Sequence, residues 1–352
     1  MADINAHNII PEFREADFQF VVQNNPLGNL YYRTPFPLKY STGLTFGSIE
    51  SETGAKVVAD IVAMGSNVPL KARQFAEKIK GEIPKLEVGR AMYERDFFRL
   101  NELRNAVSLY PSNIGVKQEL INAIYGDARF VIDSVNAGLE LMSKKLLSTG
   151  GYQSNGVKIN FSVKTKNASK NWFTAADFDP IQDFKNIQNE AEEKGFQFTQ
   201  AIMDRATFNQ LVKAESVKKF TATFVSNVAG VLTEPTLAQL NNALELHGLP
   251  KVVVWNTFVA EEDKSGNIVS TSGWELGNIH FATDDIGNTQ YTISPEASIT
   301  LGNETSKATN DNFILVSVLG QANPMQVITK GMAFATPVLN NVSKKLILKT
   351  KI

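Results

Sequence analysis

The sequence predicts an α+β fold, in which one long helix is combined with separate groups of strands. Over residues 116–147 apolar side chains recur every three or four positions, which places them on one face of a helix. In shorter runs, of which Val157–Lys164 is the clearest, apolar and polar residues alternate, and this period is typical of a half-buried strand. The third observation is an extended, charge-rich segment over residues 50–92. Together they predict a mixed fold that carries a projecting arm.

The first 49 residues are predicted to form an irregular N-terminal arm. Pro35 and Pro37 favour an extended backbone here, and Tyr31, Tyr32 and Phe36 lie beside them. Large aromatic side chains gain stability when they are covered. We therefore expect this arm to lie on a folded surface.

Residues 50–92 are predicted to form an extended loop with one polar and one apolar face. Charged and apolar residues alternate on both sides of Pro84, and proline is excluded from the centre of a tight sheet. A loop of this length inside a globular chain is usually functional. We expect it to lie across a neighbouring copy of the chain. The alternative is an internal β-hairpin packed on its own domain.

Two sets of side chains on this loop are expected at a subunit interface. The apolar set is Phe75, Ile79, Ile83, Leu86 and Val88. The charged set, expected to make contacts between subunits, is Lys71, Arg73, Lys78, Lys80, Glu82, Lys85, Glu87 and Arg90. The alternation over residues 78–88 supports the members that lie in that range, and the other members belong to the same loop.

The apolar stripe over 116–147 predicts a helix about 46 Å long, at about 1.5 Å per residue. Ser112 or Asn113 is suited to cap its start, and Gly150 to end it. Two glycines within the stripe mark bends or places of close packing. The width of the stripe fits a rod lying across a sheet better than a coiled coil.

The rest of the chain alternates strands with helices. Asp179-Pro180 predicts a helix start, because aspartate caps a helix and proline suits its first position. Over residues 196–320, short buried strands such as Lys251–Trp255 are separated by helices, which is typical of an α/β domain. Asp263–Asn267 predicts a hairpin tip, and the end of the chain predicts further β structure with a basic terminus.

Composition excludes several classes of function. The 352 residues carry a formal net charge of −1, whereas a dedicated DNA-binding protein normally has a basic face. The chain has no cysteine, which excludes thiol catalysis, cysteine metal ligands and disulfides. Its apolar runs are too short to span a bilayer, and its first residues lack the pattern of a signal peptide. We therefore expect a soluble intracellular protein without a membrane partner.

No group of residues predicts catalysis, a cofactor or a metal site. The histidines, His7, His247 and His280, lie far apart in the sequence. His280 and Asp284 would lie about 13 Å apart along a strand, too far to share one metal ion. Phosphate-binding glycine loops, zinc-protease motifs and nucleophile elbows are missing from the sequence. The sequence therefore predicts a protein that is not an enzyme.

Four short motifs follow one another in the second half of the chain. They are Trp172 with Phe178-Asp179-Pro180 and Asp183; Ala201-Ile202-Met203-Asp204 with Phe208 and Leu211; Val252-Val253-Val254-Trp255 with Ile279-His280-Phe281; and Asn323-Pro324 with Val338-Leu339 and a lysine-rich end. With the order of arm, loop, long helix and α/β domain, they resemble the Hong Kong 97-type fold of tailed-bacteriophage major capsid proteins, in the lambda-like capsid protein E family. The chain differs from that family's pattern in a longer helical segment between Arg95 and Tyr110.

The resemblance implies a division of the chain into named parts. These are the N-terminal arm 1–49, the extended loop 50–92, the peripheral domain 93–195 with its spine helix 116–147, the axial domain 196–322, and a return of the peripheral domain over 323–352. It also implies the function: self-assembly of hexamers and pentamers into an icosahedral shell that encloses phage double-stranded DNA through weak, non-specific contact.

The resemblance implies partners and a location as well. The family's usual partners are a scaffold, a portal and often a decoration protein. The expected location is the virion capsid, assembled in the host cytoplasm. Two alternatives stay open at this point: an encapsulin-like compartment shell with a groove for a cargo peptide, and an unrelated α/β enzyme or binding protein with a pocket of titrating residues.

Overall fold

Two β-sheets and a long helix that contacts both of them form the framework of the chain. The computed structural model describes residues 10–48, 80–154, 156–222, 233–262, 265–299 and 304–352. Strands and helices are both abundant in these ranges, as the α+β prediction requires.

The elements are numbered in chain order over the described ranges. The helices are α1 (Glu15–Gln23), α2 (Glu94–Leu109), α3 (Ile114–Thr149), α4 (Pro180–Glu193), α5 (Arg205–Lys213), α6 (Glu215–Ala222) and α7 (Leu237–Leu246). The strands are β1 (Leu38–Tyr40), β2 (Thr45–Gly47), β3 (Lys80–Glu82), β4 (Lys85–Met92), β5 (Gly151–Ser154), β6 (Val157–Asn160), β7 (Lys164–Asn167), β8 (Gln200–Met203), β9 (Lys251–Val254), β10 (Val259–Glu262), β11 (Ile268–Thr271), β12 (Asn278–Ala282), β13 (Gly287–Thr292), β14 (Glu304–Asn310), β15 (Ile314–Gln321), β16 (Gln326–Leu339) and β17 (Leu346–Lys349).

The larger sheet is built around β16, a strand of 14 residues. Its order is β1-β13-β16-β15-β14, and β4 also pairs with β16. Strands β13, β15 and β4 all run antiparallel to β16. Residues 85–92, the last part of the expected extended loop, therefore form a strand of the subunit's own sheet.

The smaller sheet has the order β7-β17-β12-β8-β9. Its two faces contribute to different apolar cores, because successive side chains of a strand point to opposite sides. On β17, Leu346 and Leu348 join the core that includes residues of α4 to α7, whereas Ile347 joins the core that includes α3. The sheet thus has helices on one face and the long helix on the other.

Helix α3 confirms the predicted long helix and extends it by two residues at each end, for a total of 36 residues. The side chain of Asn113 accepts hydrogen bonds from the backbone N–H groups of Gly115 and Val116, which confirms one of the two expected caps. Gly150 ends the helix in the left-handed conformation, with a φ of 81°. At about 1.5 Å per residue the helix is about 54 Å long, so it reaches across both sheets.

Contacts along α3 show how it joins the sheets. An added methyl group at Gly331 of β16 would come within 2.7 Å of the Cβ of Val131, so helix and sheet are in close contact there. Near the other end, His280 Nδ1 lies 2.8 Å from the carbonyl oxygen of Leu147, and Asn278 Nδ2 donates a hydrogen bond of 2.7 Å to the carbonyl of Ser148. Both of these residues lie on β12 of the smaller sheet.

Two local expectations differ from the structure. The single strand expected over Val157–Lys164 is divided between β6, which pairs with β5, and β7, which pairs with β17. Ser162 has a positive φ of 51°, which turns the chain between the two strands. The N-terminal arm contains the helix α1, whose Phe18 and Val22 are buried, although an irregular segment was expected.

Other local expectations are confirmed. Asp179 caps α4 through the N–H of Gln182, with Pro180 at the first helical position. Strands β10 and β11 pair antiparallel on either side of the expected hairpin tip, of which residues 263 and 264 lie outside the described ranges. The sequence also predicts a helix over Val217–Val228. The structure describes it, as α6, only as far as Ala222.

The expected domain boundaries do not coincide with the two sheets. Strands β13 to β15, expected in the axial domain, lie in the larger sheet with β4 and β16. The final strand β17 lies in the smaller sheet beside β12. The assignment of chain segments to peripheral and axial domains stays a prediction.

The close approach of α3 to β16 gives a first test. Replacing Gly331 with alanine should destabilise the subunit by about 1–3 kcal/mol, because the new methyl group meets Val131 in a packed core. Replacing Gly126 with alanine is the matched control: this helical glycine has open space around it, so the change should stabilise the helix by up to about 1 kcal/mol. Urea unfolding of both variants measures the difference, and equal effects would contradict close packing at Gly331.

Candidate assembly elements

The apolar residues expected at the subunit interface differ in how far their own chain covers them. Ile83 is only 2% exposed and belongs to the main core. Leu86 and Val88 lie on β4, half-buried against the same core. Phe75 and Ile79 lie outside the described residues. The contact of this set with a neighbouring copy stays a prediction, and Ile83 is already covered within the subunit.

The charged residues expected at the interface are exposed wherever the structure describes them. Lys80 and Glu82 lie on β3, which pairs with β2 in a two-stranded ribbon. Arg90 lies at 3.6 Å from Asp127 Oδ1 on α3, with its guanidinium 4.5 Å from the ring centre of Phe130. The remaining members of the set are Lys85 and Glu87, which are described next, and Lys71, Arg73 and Lys78, which lie outside the described residues.

Lys85 and Glu87 belong to a ring of four charged side chains. Lys85 Nζ lies 2.9 Å from Glu87 and 3.5 Å from Glu296, and Lys330 Nζ lies 2.7 Å from Glu87 and 3.1 Å from Glu296. Positive and negative groups alternate around this charged ring, so each carboxylate has two cationic neighbours. The ring ties β4 to β16 and to the turn that contains Glu296.

The charged ring shifts the pKa of two of its members. Partial burial would raise the pKa of Glu87, but hydrogen bonds from Lys330 and Lys85 outweigh it and hold that pKa below 4.5. Burial would likewise lower the pKa of Lys330, yet its bonds to Glu87 and Glu296 raise it. The ring therefore stabilises the ionised form of both groups.

A second polar group lies inside the molecule, on α3. Asn136, Glu140 and Lys144 are spaced four residues apart, so they share one side of the helix, and each is at most 1% exposed. We call these three residues the spine cluster. Buried polar groups are stable only when they are hydrogen-bonded, so their partners determine what the cluster does.

Glu140 is the centre of the spine cluster. Its carboxylate accepts hydrogen bonds from the backbone N–H groups of Tyr31 and Tyr32, at 3.0 and 2.8 Å. It also accepts bonds from the indole of Trp255 and the hydroxyl of Thr257. One side chain therefore joins the N-terminal arm, the long helix and the segment that follows β9.

The other two members extend this connection. Asn136 accepts hydrogen bonds of 2.8 Å from the hydroxyl of Tyr32 and 3.3 Å from the guanidinium of Arg33. Lys144 donates to the carbonyl of Thr257. Burial lowers the pKa of Lys144 to about 8, although the negative charges of Glu140 and Asp204 oppose that shift.

Sequence reasoning missed the spine cluster and half of the charged ring. The three polar residues of α3 border the apolar stripe, so from the sequence they are expected to face solvent. Nothing in the sequence of the helix indicates that the N-terminal arm covers them. Lys85 and Glu296 are 211 residues apart. The sequence contains one indication: Asn136, Glu140 and Lys144 recur every four residues beside the apolar stripe.

The described residues contain no group of three histidine, cysteine, aspartate or glutamate side chains placed to hold a metal ion. His280 is fully buried, and burial together with the charge of Lys345 lowers its pKa to about 3, so the imidazole is neutral. Within the same part of the chain, no helix is both long and apolar enough to cross a bilayer.

Comparisons with known proteins identify the family. A family model described as phage major capsid protein E matches residues 24–329. The chain belongs to the phage major capsid protein E family. This confirms the resemblance carried by the four sequence motifs, and it favours a capsid protein over an unrelated α/β enzyme. A comparison with curated proteins gives no significant match.

Solved structures agree with the family in fold. A phage-related protein from Bordetella bronchiseptica has a TM-score of 0.52 at 12% identity, with 96% of this chain and 97% of that chain covered. The putative capsid protein of a prophage of Escherichia coli CFT073 has a TM-score of 0.51 at 14% identity, with 98% of this chain and 97% of that chain covered. The mature capsid of bacteriophage PhiM1 gives 0.50 at 9% identity, with 91% and 87% covered.

The predicted Hong Kong 97-type fold is therefore confirmed. As a member of this capsid family, the protein forms shells of many copies and has a structural role in the virion. The structural likeness at these identities concerns the fold, and the family match supplies the function.

The charged ring predicts an acid-sensitive contribution to stability. Because the pKa of Glu87 is lowered in the folded state, its stabilisation is present above 4.5 and is lost as the pH falls through the lower, folded value. Replacing Glu87 with glutamine should therefore lower the melting temperature at about pH 6 and have less effect at about pH 3. Glu102→Gln, on the exposed face of α2, is the control. A Glu87→Gln effect that is the same at both pH values would contradict the role of the ring.

Glu140 should be among the most sensitive polar positions of the chain. Replacing it with alanine leaves the backbone N–H groups of Tyr31 and Tyr32 without their acceptor and removes one of the two acceptors of the Trp255 indole, which should cost about 3–5 kcal/mol of unfolding free energy. Replacing Glu119, an exposed glutamate on the same helix, should change it by less than about 0.5 kcal/mol. Denaturant titration measures both, and similar values would show that the buried network is not a structural anchor.

Proposed function

We propose that this protein builds the icosahedral head of a tailed phage from hexamers and pentamers, with double-stranded DNA inside. The observation that carries the proposal is the match of the capsid family over residues 24–329, in a chain whose fold is that of the solved capsid proteins. In such a shell the working surface of the protein is the part of each subunit that meets its neighbours. The features of β4 and α3 support an interface at the base of the extended loop.

Strand β4 is suited to be a rigid base for that loop. It is bonded along its whole length to β16, from Phe334 opposite Lys85 to Val327 opposite Met92. The charged ring holds the same strand through its side chains. Packaged DNA exerts pressure on a shell from inside, and this pressure pulls on the contacts between subunits. A firmly anchored base passes a force on the loop to the rest of the subunit.

An open apolar cleft beside β4 is the proposed seat for a neighbouring subunit. It has a volume of about 440 Å³ and lies between β4, α3 and the β5–β6 hairpin. Its lining includes the half-buried side chains of Leu86, Val88, Leu141 and Met142. Covering such side chains removes apolar surface from water, and this is the main driving force of association. In the proposal, Phe75 and Ile79 supply part of that cover.

The net charge of the chain is suited to a shell that encloses DNA without binding it tightly. With a formal net charge of −1, the subunit offers little attraction to the phosphates, which dominate the affinity of proteins for DNA. Contact with the packaged DNA is then weak and independent of sequence. The proposal includes a scaffold, a portal and a decoration protein as partners, assembly in the host cytoplasm, and no catalytic activity of the subunit.

Negative-stain microscopy of the purified protein is the direct test. Closed shells or rings of five and six subunits are expected, and nuclease-resistant DNA is expected in heads isolated from phage. A monomer at all protein and salt concentrations would contradict the proposal. Shells that enclose a protein cargo instead of DNA would support the encapsulin-like alternative.

Two neighbouring isoleucines distinguish the interface from the core. Replacing Ile79 with aspartate should reduce shell yield and leave the circular dichroism of the subunit unchanged, because this side chain is proposed to face a neighbour. Replacing Ile83 with aspartate should unfold the subunit, because Ile83 is only 2% exposed and a buried charge without a partner is costly. If Ile79→Asp also unfolds the subunit, Ile79 belongs to the core and the interface is misplaced.

A further inference from the structure

Helices α2 and α3 form a hairpin whose turn projects from the molecule. The two helices pack side by side, and residues 110–113 connect them. Every residue from 108 to 115 is exposed. We call these eight residues the hairpin tip.

The hairpin tip lies well beyond the core. The last buried side chain of α2 is Leu100, and the first buried side chain of α3 is Ile124. From each of these to the tip there are roughly ten residues of helix, or about 15 Å at about 1.5 Å per residue. The described core therefore ends short of the tip, and none of the described residues buries it.

Three large apolar side chains at the tip are exposed. Leu109 is 73% exposed, Tyr110 is 63% exposed and Ile114 is 82% exposed. Single exposed apolar residues are ordinary on a protein surface, but a group of them on a projecting turn marks a contact site. These three lie within six residues of sequence, and Pro111 lies between them.

The tip is also free of charge. Residues 105–116 contain no aspartate, glutamate, lysine or arginine, although charged residues make up 20% of the chain. Just beyond them the charges balance, with Glu102 and Arg104 on α2 and Lys117 and Glu119 on α3. A surface for nucleic acid or for an anionic membrane would have a basic rim instead.

We propose that the hairpin tip packs against the hairpin tips of neighbouring copies in the shell. Around a rotation axis identical residues face one another, so a charged tip would place like charges in contact. An uncharged apolar tip avoids that repulsion and gains stability when copies cover one another. This inference rests on the proposed shell-forming function, and it adds a contact that is separate from the extended loop.

A single introduced cysteine tests the contact, because the natural chain has none. In assembled shells of an Ile114→Cys variant, mild oxidation should link subunits into covalent dimers, since the same residue of two copies comes together. Phe98→Cys is the matched control: Phe98 is 71% exposed on α2, and it precedes Leu109 by 11 positions, which is about 16 Å along the helix. Dimers should dominate the denaturing gel for Ile114→Cys and be nearly missing for Phe98→Cys.

Opposite charges at the tip provide a second, independent test. Subunits with Ile114→Lys alone or Ile114→Glu alone should lose shell formation while circular dichroism shows a folded subunit, because like charges then face each other. Mixing the two variants should restore shells, since lysine and glutamate can pair. The corresponding Phe98→Lys and Phe98→Glu variants should assemble on their own.

The outcomes separate this inference from the proposed function. If the natural protein forms no shells, the proposed function fails. If the natural protein forms shells, and the cysteine variant gives no dimers or the charged variants assemble unmixed, the tip contact is wrong. If the charged variants fail to assemble and the mixture is not rescued, the tip meets another surface or another protein, and the proposal is overturned as well.

Discussion

The packing of α3 across both sheets is the contact on which the rest of the structure depends. Near its middle the helix lies close to β16, because Gly331 leaves room for Val131. At its end the carbonyls of Leu147 and Ser148 meet His280 and Asn278 of β12. One rigid rod thus sets the relative positions of two sheets that both contribute residues to the apolar core around it. A subunit that must repeat the same contacts many times in a shell needs such a fixed frame.

Polar groups then fasten the chain's extended parts to this frame. A buried carboxylate is costly unless its hydrogen bonds are satisfied, and Glu140 is satisfied by donors from the arm and from the segment after β9. In this arrangement the two segments supply four donors to one carboxylate. At the surface, the charged ring fixes β4 in the same way, with exposed groups that each contribute less. These polar contacts mainly fix the positions of the arm, of the segment after β9 and of β4, and they contribute less to the overall stability of the subunit.

The interface residues show how far sequence reasoning extends. The alternation over residues 78–88 indicated an apolar and a polar face, and the described part has such faces. It did not show that the apolar face is divided, with Ile83 inside the subunit's own core and Leu86 and Val88 at the edge of an open cleft. The sequence also did not predict that Lys85 and Glu87 pair with Glu296 and with Lys330 of β16. No sequence pattern indicates which charges pair when they lie over 200 residues apart.

The sequence by itself determined what depends on neighbouring residues. The Asn113 cap, the Gly150 end, the Asp179-Pro180 helix start and the β10–β11 hairpin follow from local geometry, and the order of such elements was enough to indicate the family. The tertiary structure alone decided which strand joins which sheet, as for Val157–Lys164 and for β17. Periodicity shows which face of an element is apolar, but the surface that covers that face comes from distant parts of the chain.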